Sequence, residues 1–133
     1  MVEANLKNWI LSFDELRVLL FSLGFDKNEG ILMKEKNFSE SEVLQIMHQL
    51  SQKELIVFAE DSLEVVPELK EYLNVIGRPE YSEIVTGADG HEYYVYLGTD
   101  HAVVTDRYWQ KKDAIRLSGM SFEQYREWRE NVR

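Results

Sequence analysis

The chain has 133 residues, 44% hydrophobic and 29% charged, with 7 Tyr, 6 Phe, 3 Trp, no cysteine and a formal net charge of −9. This composition predicts a globular protein with a packed core, and it excludes disulfides, thiolate metal sites and cysteine nucleophiles. No apolar run approaches the roughly 20 residues that span a bilayer, and the start MVEANLKNW lacks the pattern of a signal peptide, so we expect a cytoplasmic protein.

Three segments carry the same signal for the start of a helix. LSFDEL, FSESEV and MSFEQY each place a serine three residues before a Glu or Gln, which is the capping-box pattern that satisfies free N–H groups at a helix start. Apolar residues at helical spacing follow each box. The sequence therefore predicts helices near residues 13–23, 40–52 and 122–131.

Between and after the first two helices, short apolar runs predict strands. EGILMKEK favours a short strand, and ELIVFAEDSLEVVPELKEYL, residues 54–73, favours strand, tight turn, strand and helix. Pro67 suits the first position of that helix, and Gly77 suits its end. Helix, short strand, helix, hairpin and helix is the order of a winged-helix-like lobe.

From residue 80 onward the hydrophobic period changes to two. YSEIVTG, HEYYVYL, HAVVTDRYW and DAIRLSG are separated by short turns, the first containing Asp89-Gly90, and they predict an antiparallel meander. The predicted class is α+β: a winged-helix-like helical lobe, then an antiparallel β-meander and a C-terminal helix. We expect one compact domain over 1–133, with lobes at 1–77 and 78–133 that meet at NVIGRPEY.

No pattern in the chain points to catalysis or to a cofactor. Ser118 lacks the flanking glycines of a nucleophile turn, and TGADGHE has neither a Walker lysine nor a dinucleotide-binding frame. His91 and His101 bracket one hairpin and have acidic residues nearby that would suit zinc: Asp89, Asp100 and Asp106. Because their spacing matches no ligand motif, solvated hairpin ends are the favoured interpretation. We predict no enzyme activity, no cofactor and no metal site.

Nucleic-acid binding is disfavoured by charge. In a winged helix, the helix before the hairpin contacts DNA, yet residues 40–54 carry Glu40, Glu42 and Glu54 against Lys53 alone. The turn of the predicted wing, EDS, is acidic as well. The densest basic segment is RYWQKKDAIR, residues 107–116, and it keeps DNA contact open as an alternative.

The aromatic strand HEYYVYL is the favoured candidate for partner binding. Strand alternation places His91, Tyr93, Val95 and Leu97 on one face, and Glu92, Tyr94 and Tyr96 on the other. Tyrosine is favoured at protein interfaces, so a half-exposed tyrosine face suggests a binding surface. The predicted partner-binding residues are Tyr94, Tyr96, Asp100 and His101. Coverage of both faces of the strand is the alternative.

The order of these features resembles the ESX (type VII) secretion-associated chaperones of the EspG-like family. The segments that carry the resemblance are LSFDELRVLLFSLGF, ESEVLQIMHQLSQKELIV, PELKEYLNVIGRPEYSEIV and YVYLGTDHAVVTDRYWQKKDAIRLSGMSFEQYREW. Such chaperones have a quasi-symmetric α+β architecture and bind helical secretion substrates in the cytosol. This chain has one unit where family members carry two related halves, so a homodimer that pairs two sheets is one way to rebuild the binding surface.

The favoured functional interpretation is a non-enzymatic cytoplasmic protein-binding module, a chaperone or adaptor for type VII secretion substrates. The alternatives are a winged-helix transcription regulator that uses RYWQKK, and a small-ligand or phage-type accessory protein.

Overall fold

The computed structural model describes residues 7–25, 38–59, 62–108, 110 and 112–132. Its elements, in chain order, are β1 (Lys7–Ser12), α1 (Phe13–Ser22), α2 (Glu40–Gln52), β2 (Ile56–Ala59), β3 (Ser62–Val65), α3 (Pro67–Gly77), β4 (Tyr81–Thr86), β5 (Glu92–Leu97), β6 (His101–Arg107), β7 (Ala114–Ser121) and α4 (Phe122–Val132). The predicted α+β class is confirmed.

All four helices begin where the sequence predicts them to begin. Ser12 and Ser39 each accept a hydrogen bond from the backbone of the glutamate three residues later, and both glutamates bond back to the backbone of the serine. Ser121 and Gln124 exchange the same two bonds at the start of α4, at 3.1 and 2.8 Å. These contacts satisfy N–H groups that no turn of the helix can reach. The strand expected in EGILMKEK lies outside the described residues.

The four-stranded meander is present, and a strand that the sequence did not indicate extends it. The sheet has the order β1-β7-β6-β5-β4, while β2 and β3 form a separate two-stranded hairpin. β1 pairs antiparallel with β7, with Leu11 opposite Ile115 and Ser12 opposite Ala114. β1 leads directly into the capping serine of α1, so the first helix is tied to the sheet.

The two faces of the sheet carry different cores. On the first, which we call the helical face, β1, β5, β6 and β7 pack against α1 and α3, while α2 packs on α1. This core contains Leu11, Leu16, Leu20, Leu69, Leu73, Tyr96, Val103, Ile115 and Leu117, all nearly inaccessible to solvent. Residues from both predicted lobes therefore share one core.

The second face, which we call the α4 face, is covered by a single helix. Its core is smaller and consists of Val85, Val95, Ala102, Val104, Met120 and Tyr125. One helix cannot cover five strands, because strands lie about 4.8 Å apart and packed helices about 10 Å apart. Among the described residues, no helix is long and apolar enough to cross a membrane.

Candidate functional site

The strand β4 is an open edge of the sheet with exposed apolar side chains. It is the last strand in the sheet order and pairs only with β5 among the described strands. Tyr81 is 56% exposed and Ile84 is 52% exposed, and no other large apolar side chain described in the five-stranded sheet is comparably exposed. Apolar side chains grouped at a sheet edge are a feature of binding surfaces.

The exposure of β4 on the helical face follows from the position of α3. This helix contacts β6 and β5, so it covers the centre of the sheet, and no described helix makes comparable contact with β4. Ser82, Ile84 and Thr86 are all exposed there, and Ile84 lies opposite the half-buried Tyr94. We call these four residues the β4 strip. Together with the uncovered part of β5, the strip has about the width of one further helix beside α3.

The four predicted partner-binding residues lie in three environments: the core under α3, the margin of that core, and the turn between β5 and β6. Tyr96 is 3% exposed and belongs to the core under α3. For this residue the alternative prediction holds, in which both faces of β5 are covered. Tyr94 is half-buried at the margin of that core and forms part of the β4 strip. The exposure of a strand face depends on where a distant helix lies, which strand alternation alone does not indicate.

Asp100 and His101 lie at the turn between β5 and β6. Asp100 is exposed. His101 Nδ1 lies 3.1 Å from the carboxylate of Glu71 on α3, and its ring contacts Tyr72 edge-on at 5.5 Å. His101 therefore joins the turn to α3.

A buried charged cluster links β5, β6 and β7 on the α4 face. The Asp106 side chain is only 3% exposed, and it accepts hydrogen bonds from Arg116 Nε at 3.0 Å and Nη2 at 2.8 Å. His91 Nε2 lies 2.9 Å from the same carboxylate. The hydrogen bond to Asp106 raises the pKa of Arg116, so the guanidinium is held charged.

The composition of this cluster bears on the metal hypothesis. His91 and Asp106 do come together, but both carboxylate oxygens of Asp106 already accept hydrogen bonds from the Arg116 cation. The described residues contain no group of three or more His, Asp or Glu side chains placed to hold a metal ion. The cluster is better explained as a neutralised buried carboxylate that fixes three strands.

An aromatic and ionic network connects the cluster to α4. Tyr93 contacts His91 and Trp128 edge-on, at 4.7 and 5.1 Å between ring centres. Burial and the negative charge of Asp106 raise the pKa of the Tyr93 phenol. Trp128 also stacks on Tyr125, so the aromatic rings fasten α4 to the sheet.

The charge of β4 is neutralised within the protein. Glu83, its only charged residue, accepts a hydrogen bond from the Tyr125 hydroxyl at 2.6 Å and an ion pair from Arg129 at 2.8 Å. Burial, followed by this hydrogen bond, raises the pKa of Tyr125 strongly. β4 itself therefore adds no unpaired charge to this edge, and the exposed Glu92 of β5 lies opposite Thr86.

Ser118 and His48 have no catalytic environment among the described contacts. The Ser118 hydroxyl donates to the side-chain oxygen of Asn8 at 2.6 Å, and an amide oxygen is too weak a base to activate a serine. His48 is exposed on α2.

The sequence matches no protein-family model, and a search of curated proteins finds no match. The function must therefore be inferred from the surface of the molecule.

The exposed edge at β4 was not predicted from the sequence. A four-stranded meander must leave two edges, β4 and β7, and β1 occupies the β7 edge. The alternating pattern of YSEIVT, with Ile84 directed away from Val85 and Glu83, is the signal from which an exposed apolar residue at the remaining edge could have been inferred.

Proposed function

We propose that this protein is a non-enzymatic protein-binding module that acts as an adaptor or chaperone, and that its partner docks on the β4 strip. One observation carries the proposal: Ile84 is more than half exposed beside the half-buried Tyr94, at the side of the sheet that α3 leaves bare. Burying Ile84 and the exposed part of Tyr94 would give a partner apolar contact next to a tyrosine hydroxyl.

The partner that fits the β4 strip is an amphipathic helix. The bare sheet beside α3 is about one helix wide, and a helix with apolar residues on one side would complete the layer that α1 and α3 begin. The resemblance to EspG-like chaperones supports the same class of partner, the helical substrates of type VII secretion in the cytoplasm.

The chemistry of the described residues supports binding over catalysis. In the part of the chain that the structure describes, Asp106 is the only deeply buried carboxylate with a histidine beside it. Its described neighbours His91, Arg116 and Tyr93 include no activated nucleophile. A winged-helix regulator gains no support from the described part of the first lobe. Glu40 and Glu42 are exposed on α2, and Lys53 is engaged by Glu15 at 2.7 Å.

Affinity capture from the native host, with partners identified by mass spectrometry, tests the proposal. The informative variant is Tyr94→Ala, and Tyr81→Ala is the matched control because Tyr81 lies on the α4 face of the same region. The parent and Tyr81→Ala should retain the same small helical protein, and Tyr94→Ala should bind it at least about tenfold more weakly in a titration of the two purified proteins. Equal binding by Tyr94→Ala, or no helical protein retained by the parent, would overturn the proposal. Circular dichroism shows that both variants are folded.

A further inference from the structure

Among the described strands, none pairs with β4 on the side away from β5. Gly87 N–H donates to the His91 carbonyl at 2.8 Å, which makes Gly87 and His91 a hydrogen-bonded pair in the β4–β5 register. Such pairs recur at every second residue of an antiparallel ladder. Ser82, Ile84 and Thr86 therefore direct their N–H and C=O groups outward, where a further strand can pair with them.

The residues of β4 itself lack the lysine and proline by which many proteins protect an open edge. Its sequence, YSEIVT, contains no lysine and no proline, and its one charge, on Glu83, is neutralised by Arg129 and Tyr125. Unprotected edges with β-branched residues are templates for a further strand.

We propose that β4 pairs with β4 of a second copy of this chain, antiparallel, about a two-fold axis that passes through Ile84. The two five-stranded sheets then become one ten-stranded sheet. This inference concerns the chain by itself and requires no other protein, so it is independent of the proposed docking of a helix on the β4 strip.

The self-complementarity of β4 is the reason for choosing a second copy as the partner. With the axis at Ile84, that residue lies opposite itself on the helical face, and the hydroxyls of Ser82 and Thr86 lie opposite each other. Ile–Ile and hydroxyl–hydroxyl pairs are favourable cross-strand neighbours.

On the α4 face, the same register places no two like charges opposite each other. The exposed ring of Tyr81 lies opposite Gly87 of the second copy, and Glu83 lies opposite Val85. An axis through Glu83 would instead place two carboxylates directly opposite each other, which is destabilising. The sequence of the strand therefore selects the register centred on Ile84.

The helices leave room for this arrangement. α3 contacts β5 and β6 on the helical face, and α4 runs from β7 across β6 toward β4 on the other face, where Glu83 bonds to Tyr125 and Arg129. Ser82, Ile84 and Thr86 remain exposed, so neither helix covers these residues of β4.

Cysteine cross-linking tests the register, because the natural chain contains no cysteine. The Cα atoms of a hydrogen-bonded antiparallel pair are about 5.5 Å apart, which is within the range of a disulfide. Ile84→Cys should therefore form a covalent dimer under mild oxidation. Ser82→Cys is the matched control, since it lies on the same face of the same strand but opposite Thr86 of the second copy. Val57→Cys measures the rate of cross-linking by random collision, because Val57 on β2 is 54% exposed.

The expected result is that Ile84→Cys cross-links at least about tenfold faster than either control, because only its thiol faces its own copy at disulfide distance. Equal rates for the three variants, or faster reaction of Ser82→Cys, would overturn the proposed register.

Sedimentation of the purified chain tests the association itself. The parent and Val57→Lys should shift with micromolar concentration toward twice the monomer mass of 15.7 kDa, whereas Ile84→Lys, which opposes two ammonium groups, should stay monomeric. A parent that stays monomeric throughout, or an Ile84→Lys variant that dimerises like the parent, refutes the pairing. Because the sample contains this chain alone and the capture experiment uses Tyr94→Ala, failure of the dimer and failure of the helix-docking proposal are distinguishable.

Discussion

The two edges of the sheet, β1 and β4, differ in how much apolar surface they leave in water. On β1, Leu11 is fully buried, Trp9 and Ile10 are half-buried, and Asn8 is bonded to Ser118 of the neighbouring strand. On β4, by contrast, Tyr81 and Ile84 are each more than half exposed. One edge is used to build the core, and the other is left available for association.

Truncation of an aliphatic side chain at each edge should give the largest contrast. Leu11→Ala removes a fully buried side chain and is expected to lower the free energy of unfolding by about 2–5 kcal/mol, whereas Ile84→Ala should lower it by less than about 1 kcal/mol. Urea unfolding of the monomer measures both. Equal losses would show that β4 is as tightly packed as β1.

Removing the buried charge in the interior of the sheet should have the next largest effect. Asp106→Asn leaves the Arg116 guanidinium without its counter-charge and His91 without its carboxylate partner. It should lower the free energy of unfolding by about 1–3 kcal/mol, because water still reaches both side chains and limits the loss.

Glu83→Gln in β4 is the matched control for that substitution. Its carboxylate is more accessible, at 16% exposure against 3% for Asp106, and should contribute less. A Glu83→Gln variant less stable than Asp106→Asn would contradict this order.

The Tyr125–Glu83 hydrogen bond should show a characteristic dependence on pH. Tyr125→Phe should cost about 0.5–1.5 kcal/mol near neutral pH. The pKa of Tyr125 is raised in the folded state. The native protein therefore keeps the phenol proton at pH values above the ordinary tyrosine pKa of 10.0, where the unfolded chain loses it. The stability contributed by Tyr125 is therefore present below that pH and lost above it.

Unfolding of the parent and Tyr125→Phe at about pH 8 and about pH 11 tests the sign, since the difference between them should shrink at the higher pH. The pKa values of Tyr72 and Tyr93 are also raised by burial. Both residues are present in the parent and in the variant, so their contributions to the pH dependence cancel in the difference. A difference that grows with pH would contradict the assignment.

Salt should have the smallest effect, on association alone. Each chain carries a net charge of −9, so two copies repel each other, and raising the salt concentration to about 0.15 M should strengthen self-association a few-fold. Sedimentation at low and moderate salt measures it. Association that weakens with added salt would indicate that ion pairs, and not the uncharged edge of β4, hold the dimer together.

Local signals in the sequence predict much of the fold. Ser12, Ser39 and Ser121 mark three helix starts because a capping box involves only neighbouring residues. The alternation in HEYYVYL separates the two faces of β5 correctly, with Tyr93 and Val95 toward α4 and Tyr94 and Tyr96 toward the helical face.

Features that depend on distant residues are not predicted. β1 is recognisable only through its pairing with β7, which lies more than a hundred residues further along the chain. The burial of Tyr96 depends on the position of α3. The role of Arg116 depends on the strand register that places it opposite Asp106 across the β6–β7 hairpin. This register is not indicated by the residues next to either one.

Amide hydrogen exchange measured by NMR as a function of protein concentration tests the association of β4 most directly. The N–H groups of Ser82, Ile84 and Thr86 should exchange more slowly at high concentration than on dilution, because the second copy accepts their hydrogen bonds, while the amides of β1 should be unaffected. Exchange of these three amides that does not depend on concentration, or a concentration effect confined to β1, would contradict the assignment of β4 as the edge at which this protein associates.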